Sequence, residues 1–366
     1  MVQRTLSVFV RRPPTPSLVF ALYWRFAVLR QEIYHRRVRG EPGPWTTDPV
    51  LKDHRFTNAY RAADRVSQFM IRNVAYDGDQ TPNEVIFRVL LFKLFNRIET
   101  WQLLAETVGP LNARDFDVEI FDKVLSEAFD RAERIYSAAY IMPVAIPGLV
   151  RKHRSHLGLL RRMIDDRLSD ELIATESMGK AYEILLRYPG IGPFLAYQFV
   201  TDLNYSCALN FSEMDFVVPG PGARSGIRKC FSDPGDYGEV DIIRYMADRQ
   251  EEEFDRLGLQ FETLWGRPLQ LIDCQNLFCE VDKYARVVHP EIKGIGTRGR
   301  IKQRFKPLPT AVDVWFPPKW GINDDLPGVG RPSERPQSSY PQDPPGRSRL
   351  ARVDVDDLRA DSQRRR

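Results

Sequence analysis

Tyr188-Pro189-Gly190-Ile191-Gly192-Pro193-Phe194 is a short turn between two segments of helical period. Before it, Met178, Ala181, Tyr182, Leu185 and Leu186 recur at the spacing that gives a helix one apolar face. After it, Ala196, Phe199, Val200 and Leu203 repeat that pattern, and Pro193 suits the first helical position. Gly190 and Gly192 allow a tight turn, and the second helix offers unpaired N–H groups and a positive dipole end. Such a turn can hold a phosphate. The same residues also describe an ordinary helical hairpin with glycine in its turn.

Outward from the hairpin, helical periods dominate and β-alternation is scarce. Leu22, Phe26, Leu29 and Ile33 predict an opening helix whose other face carries Arg25, Arg30, Arg36 and Arg37. Ala59, Ala63, Val66, Met70 and Val74 predict another, with Arg61, Asp64 and Arg65 pointing outward. Residues 84–108 are apolar nearly all round at first, as in a central buried helix. Further helices are expected over 120–140, 157–168, 240–257 and 273–288. The expected fold is all-α, a helical domain over residues 18–318 between a flexible N-terminus (1–17) and a disordered tail (319–366). The tail is rich in Pro, Arg and Ser and has no apolar face to offset chain entropy.

The 366 residues are 43% hydrophobic, enough for a large core, and carry a net charge of +4. Four cysteines without a CxxC pair argue against a disulfide framework or a zinc site. His153 and His156 form a close pair with no neighbouring acid, so no metal and no cofactor is expected. The apolar run Leu18 to Leu29 contains Arg25 and is too short to span a bilayer, and no secretory signal is evident. An intracellular protein of nucleus or cytoplasm is expected. The acid-free, arginine-bearing start before Glu32 is also compatible with mitochondrial import.

The candidate site residues lie mostly downstream of the hairpin. Asp215 stands among apolar neighbours in Met214-Asp215-Phe216-Val217-Val218, followed by a Gly/Pro loop with Arg224 and Arg228. It can brace that loop, or it can be a catalytic carboxylate with the two arginines taking phosphates. Lys283, Arg286, Lys293, Arg298, Arg300, Lys302, Arg304 and Lys306 form a basic strip in which Glu291 is the sole acid. A charge run can be merely solubilising, but this one also has the footprint of a polyanion partner. Cys279-Glu280-Val281-Asp282-Lys283-Tyr284 suits helical salt bridges as well as a site. Trp45 and Tyr284 are candidates to stack a flipped base, although large aromatics more often belong to a core. Asn58 and Asn96 can read a base edge or cap helices, with capping favoured for Asn96.

The hairpin followed by Asp215 resembles the helix-hairpin-helix DNA glycosylase superfamily, in which a similar hairpin clamps DNA and an aspartate follows the second helix. A closer likeness is to the helical domain of 5-hydroxymethyl-deoxyuridine DNA kinases, related to the alpha-glutamyl/putrescinyl thymine pyrophosphorylases. It is carried by Pro44-Trp45-Thr46-Thr47-Asp48-Pro49, by residues 55–65 (RFTNAYRAADR), by Phe95-Asn96-Arg97-Ile98-Glu99-Thr100-Trp101 and by residues 279–284. The resemblance covers about residues 20–310. It implies DNA as partner and action on thymine-derived bases, with Asp215 catalytic and Gly190, Gly192, Arg224, Arg228, Lys283, Arg298, Arg300, Lys302 and Arg304 on nucleic acid. Trp45, Asn58, Arg61, Arg65, Glu280 and Tyr284 then become base or phosphate pocket candidates, with Arg61, Arg65 or Arg224 set against a leaving pyrophosphate.

Two departures narrow this expectation. No GxxxxGK[ST] occurs in the sequence, so a stand-alone kinase is not expected and a separate kinase would supply any activated base. Bifunctional glycosylases carry a lysine where this chain has Phe194, which disfavours Schiff-base lyase chemistry. A DNA-base-modifying transferase or hydrolase is the leading expectation. A non-catalytic nucleic-acid-binding module and a degenerate scaffold are the rivals.

Overall fold

The computed structural model describes residues 11–139, 141–146, 148, 151–295, 299–307, 312 and 314–327. Most of the expected flexible N-terminus, Arg298 and the tail from residue 328 lie outside the described residues.

The chain is mostly helical. In order, its α-helices are α1 (Leu18–Val38), α2 (Pro49–Asp53), α3 (Arg65–Met70), α4 (Pro82–Phe95), α5 (Ile98–Val108), α6 (Val118–Asp130) and α7 (Lys152–Asp165). They continue as α8 (Leu168–Ile173), α9 (Met178–Leu186), α10 (Pro193–Tyr205), α11 (Pro221–Cys230), α12 (Glu239–Asp248), α13 (Gln250–Arg256) and α14 (Leu271–Val288). Two short antiparallel strands, β1 (Thr15–Pro16) and β2 (Phe231–Asp233), pair in a small sheet.

The helices divide between two compact units. One comprises residues 1–64 and 212–314, the other residues 65–211 and 315–366. In the first, α11 packs along α14, with α1 and α12 also against α14. Glycine makes the α11–α14 approach close: a Cβ at Gly226 would overlap the Phe278 carbonyl, and one at Gly222 would meet Cys279 Sγ at 2.8 Å. The core of this unit is aromatic. Trp24 packs edge-on against Tyr23 and Phe254 at 4.9 and 5.0 Å, and Tyr23 also contacts Phe278. Ser17 caps α1 by accepting the Val19 N–H.

In the second unit α4 is buried on nearly every side and touches α7, α8 and α10. Inside it Lys93 and Asp202 form an ion pair of 2.6 Å, each side chain 3% exposed. The Lys319 ammonium donates to the carbonyls of Asn204, Ser206 and Leu209, closing the C-terminal end of α10.

The structure corrects several sequence expectations. The buried helix over 84–108 is two helices, broken where Asn96 takes a left-handed conformation (φ 49°) and its N–H bonds back to Phe92. The helix expected through Ala59 and Val74 is interrupted. A 3₁₀ turn covers Arg61–Ala63, then come α3 and a π-helical turn at Ile71–Ala75. The Gly/Pro loop after Val218 is instead the start of α11, with Gly220 at the N-cap and Pro221 at the first position, where its missing N–H costs nothing. The 120–140 helix ends early, at Asp130, and α12 and α13 share the stretch expected as one helix.

Candidate functional site

Before the 3₁₀ turn at Arg61–Ala63, residues 55–60 carry no regular structure, so their backbone polar groups need side-chain partners. Within the first unit, α1 and α14 supply them. Arg30 donates from Nε to the Thr57 carbonyl at 2.8 Å and from Nη2 to Asn58 Oδ1 at 2.6 Å. From α14, Glu280 accepts the Thr57 N–H at 3.0 Å, and Asn276 donates to Thr57 Oγ1 and the Asn58 carbonyl. The segment also closes on itself. Asp64 accepts the Asn58 N–H at 2.8 Å while Asn58 Nδ2 donates to the Ala63 carbonyl at 2.7 Å. Asp273, at the start of α14, accepts the Arg61 N–H at 2.8 Å and the Gln270 N–H at 3.0 Å.

Burial sets the electrostatics of this cluster. It pushes the Asp64 carboxyl up to about 6, against which the Asn58 N–H and the Arg30 and Arg61 charges act. It raises Asp273 to about 7 and lowers the Arg30 guanidinium to about 10. A carboxyl that exchanges its proton near neutrality is what acid–base chemistry requires. Two donors remain unmet: Arg30 Nη1 and the Tyr34 hydroxyl are buried without a hydrogen-bond partner. Most buried polar groups are satisfied, so two unmet donors on one helix face call for an explanation.

The structure brings Asn58 and Glu280 together as candidates and adds Arg30 and Asp64 to them. Arg61 is buried with its N–H on Asp273, and Asp64 turns inward, so neither faces outward as expected; Arg65 is exposed. Tyr284, a candidate stacking platform, is a core residue. Its ring lies between Phe26 and Phe56, and its hydroxyl donates to Asp48 at 2.5 Å, which also caps α2. Trp45 is half-buried, with the Arg37 guanidinium 5.2 Å over its ring and its Nε1 on the Glu41 carbonyl.

Asp215 is exposed. Of its apolar neighbours Val217 is buried and Met214, Phe216 and Val218 are half-buried, and Arg244 grips the carbonyls of Met214 and Asp215, so the backbone rather than the carboxylate is braced. Arg224 pairs with Glu239 at 3.1 Å, and Arg228 is exposed on the same face of α11. Lys283 is held by Glu280 at 2.6 Å and lies over Phe56. Arg300 and Lys302 are exposed, and Arg304 pairs with Asp53 at 2.9 Å where residues 303–305 run beside 53–55.

The hairpin forms as expected between α9 and α10. Gly190 has φ +79°, Tyr188 and Ile191 are buried, and Gly192 at the N-cap of α10 is exposed with open space where a Cβ would stand. It belongs to the second unit and Asp215 to the first. The helical period puts Arg30 and Arg37 on a solvent face, whereas Arg30 is buried against the loop and Arg37 half-buried. The signal available was their spacing with Tyr34, at i, i+4 and i+7 along α1.

A family model described as the helical domain of 5-hmdU DNA kinase matches residues 17–294, and the chain belongs to that family. Among curated proteins it is similar to a 5-hmdU DNA kinase of Bacillus phage SP10, 28% identical over 298 residues. That match covers 75% of this chain and 46% of the phage protein, so the chain spans about half the length of this relative. No solved structure matches. Among the described residues, no helix is long and apolar enough to cross a membrane.

Proposed function

We propose that this protein binds DNA and acts on thymine-derived bases of the 5-hydroxymethyluracil type. The observation that carries this reading is the loop 55–64: its Asn58 and Asp64 side chains are gathered with Arg30 and Glu280 into a part-buried polar cluster, inside the stretch matched by the family model. Asp64, with its proton exchange near pH 6, is the carboxylate best placed for general acid–base work on an extruded base, and Trp45 offers the aromatic surface. Asp215 is a second carboxylate candidate. The glycine hairpin and α10 in the other unit have the backbone N–H groups and dipole end that suit a DNA phosphate, as a helix-hairpin-helix element does. Exposed Arg228, Arg300 and Lys302 add positive charge to the first unit. These residues suit a base-directed step, with a kinase acting beforehand as the source of any activated base.

The test is incubation of the full chain with DNA carrying thymine, 5-hydroxymethyluracil or its pyrophosphorylated form, with products read by mass spectrometry. The expected result is a product from a modified base only, lost in Asp64→Asn or Asp215→Asn while DNA affinity persists. Binding to all three DNAs with no product from any makes the protein a binding module. Absence of DNA binding overturns the reading.

A further inference from the structure

We propose that the face of α1 bearing Arg30, Tyr34 and Arg37, with Trp45 beside it, is a binding site for a phosphoryl anion. The inference adds a ligand chemistry to the site on which the proposed function rests, and it relies on that reading only for the source of the phosphoryl group.

Three observations carry it. The first is unmet hydrogen-bonding capacity: Arg30 spends Nε and Nη2 on the loop carbonyl and amide, but its Nη1 has no partner, and neither has the Tyr34 hydroxyl one turn on. Arg30 is 8% exposed and Tyr34 2%, so solvent does not satisfy them. The second is charge that no ion pair matches. Burial chiefly lowers both Arg30 and Arg37; the Asp64 and Glu280 charges favour the Arg30 cation only in part, and the Arg37 charge disfavours it. The nearby acids are engaged elsewhere, Glu280 with Lys283 and the Thr57 N–H, Asp64 with the Asn58 N–H. Two desolvated guanidiniums without an ion-pair partner of their own favour an incoming anion. The third is access. Arg37 and Trp45 are half-buried, with the guanidinium over the indole, and Arg37 lies on the same face of α1 as Tyr34 and Arg30, about one and two turns along.

A phosphoryl group fits this set better than a carboxylate. It has oxygens enough for the single free Nη1 of Arg30, the Arg37 fork and the Tyr34 hydroxyl, and as a monoester or diphosphate it carries the double charge that two arginines match. Its source can be a phosphorylated base substituent, free pyrophosphate or the DNA backbone.

Isothermal titration of the full chain with inorganic pyrophosphate tests the site without DNA. The wild type is expected to bind, with a change in tryptophan emission that Trp45→Phe abolishes. Arg37→Gln and Tyr34→Phe are each expected to lower the affinity about tenfold, the loss of one charge-assisted hydrogen bond. Arg256→Gln, at the end of α13, is expected to leave it unchanged. Tyr34→Phe removes a single oxygen and keeps the packing, so its result stands even if an arginine variant fails to fold. No binding by the wild type, or binding indifferent to both Arg37→Gln and Tyr34→Phe, overturns the inference. Competition then separates the sources. Pyrophosphate that displaces unmodified DNA assigns the site to the backbone, and pyrophosphate that competes only with DNA bearing a phosphorylated base assigns it to the base. Pyrophosphate binding by a protein with no affinity for any DNA upholds the site and ends the proposed function; base-selective DNA activity without pyrophosphate binding does the reverse.

Discussion

Asp64 accepts the backbone N–H of Asn58 at 2.8 Å, so the acid that titrates near neutrality also holds the loop in shape. Asparagine at position 64 can keep that hydrogen bond through its carbonyl oxygen while losing the charge. Asp64→Asn is therefore expected to fold. Above about pH 6 the wild-type carboxylate opposes an incoming anion, and below it the neutral acid does not. The gap between wild-type and Asp64→Asn pyrophosphate affinity should thus be wide at pH 8 and close by pH 5, in titrations of both proteins in parallel. A constant gap across that range would show that Asp64 does not titrate beside the ligand.

Asp273 links folding to pH in a defined direction. Its folded pKa of about 7 lies above the ordinary 3.8, so the folded state holds a proton that the unfolded chain gives up. Its contribution is most favourable below the unfolded value and is lost as pH rises through about 7. At about 1.4 kcal/mol per unit, the loss is on the order of a few kcal/mol. Urea unfolding at pH 5 and pH 8 should show a fall for the wild type that is reduced in Asp273→Asn. Equal falls in both proteins would remove Asp273 as the cause.

Gly226→Ala is expected to destabilise the first unit despite alanine's better helix propensity, a gain of about 1 kcal/mol. The added methyl overlaps the Phe278 carbonyl, and backbone cannot move aside as a side chain can, so overpacking of about 1–3 kcal/mol or more prevails. Gly222→Ala meets the Cys279 side chain, Sγ at 2.8 Å and Cβ at 3.2 Å, and should cost less. Thermal melts of the two variants rank them, and a Gly226→Ala protein as stable as wild type contradicts the packing.

Gly192 offers a substitution in which stability and DNA affinity move in opposite directions. An aspartate at this N-cap accepts an N–H of α10 and complements its dipole, worth about 0.5–1 kcal/mol. The same charge repels a phosphate at the helix end. Gly192→Asp should therefore melt no lower than wild type yet bind DNA about tenfold more weakly, the loss of roughly one charge-assisted contact. Undiminished affinity would take the hairpin out of the DNA-binding surface.

The hairpin and the α-helices around it were legible because period, proline at the first position and glycine in the turn are local signals. The site cluster was only partly so. Hydrophobic period assigns an arginine to the polar side, and Arg30 is buried because the Thr57 and Asn58 oxygens, from a loop distant in sequence, need donors. Asp64 read as helical surface for the same reason, since nothing local announces that its partner is the Asn58 N–H. The break at Asn96 replaced one long apolar helix by two, a choice set by a single left-handed residue. The motifs that carry the family resemblance are legible as a group, but the places of residues 55–65 and 279–284 depend on contacts of α1 and α14 with the loop 55–64.

Lys319 sits 115 residues beyond Asn204, one of the three carbonyls it closes. During synthesis α10 and its hairpin therefore emerge with that end open to solvent, and the latch arrives only after the residues of α11 to α14 have followed. The geometry of the hairpin helix is completed late, so a ribosome-bound chain stalled before Trp315 would hold every residue of the turn at 188–194 without the clamp that fixes the far end of its second helix.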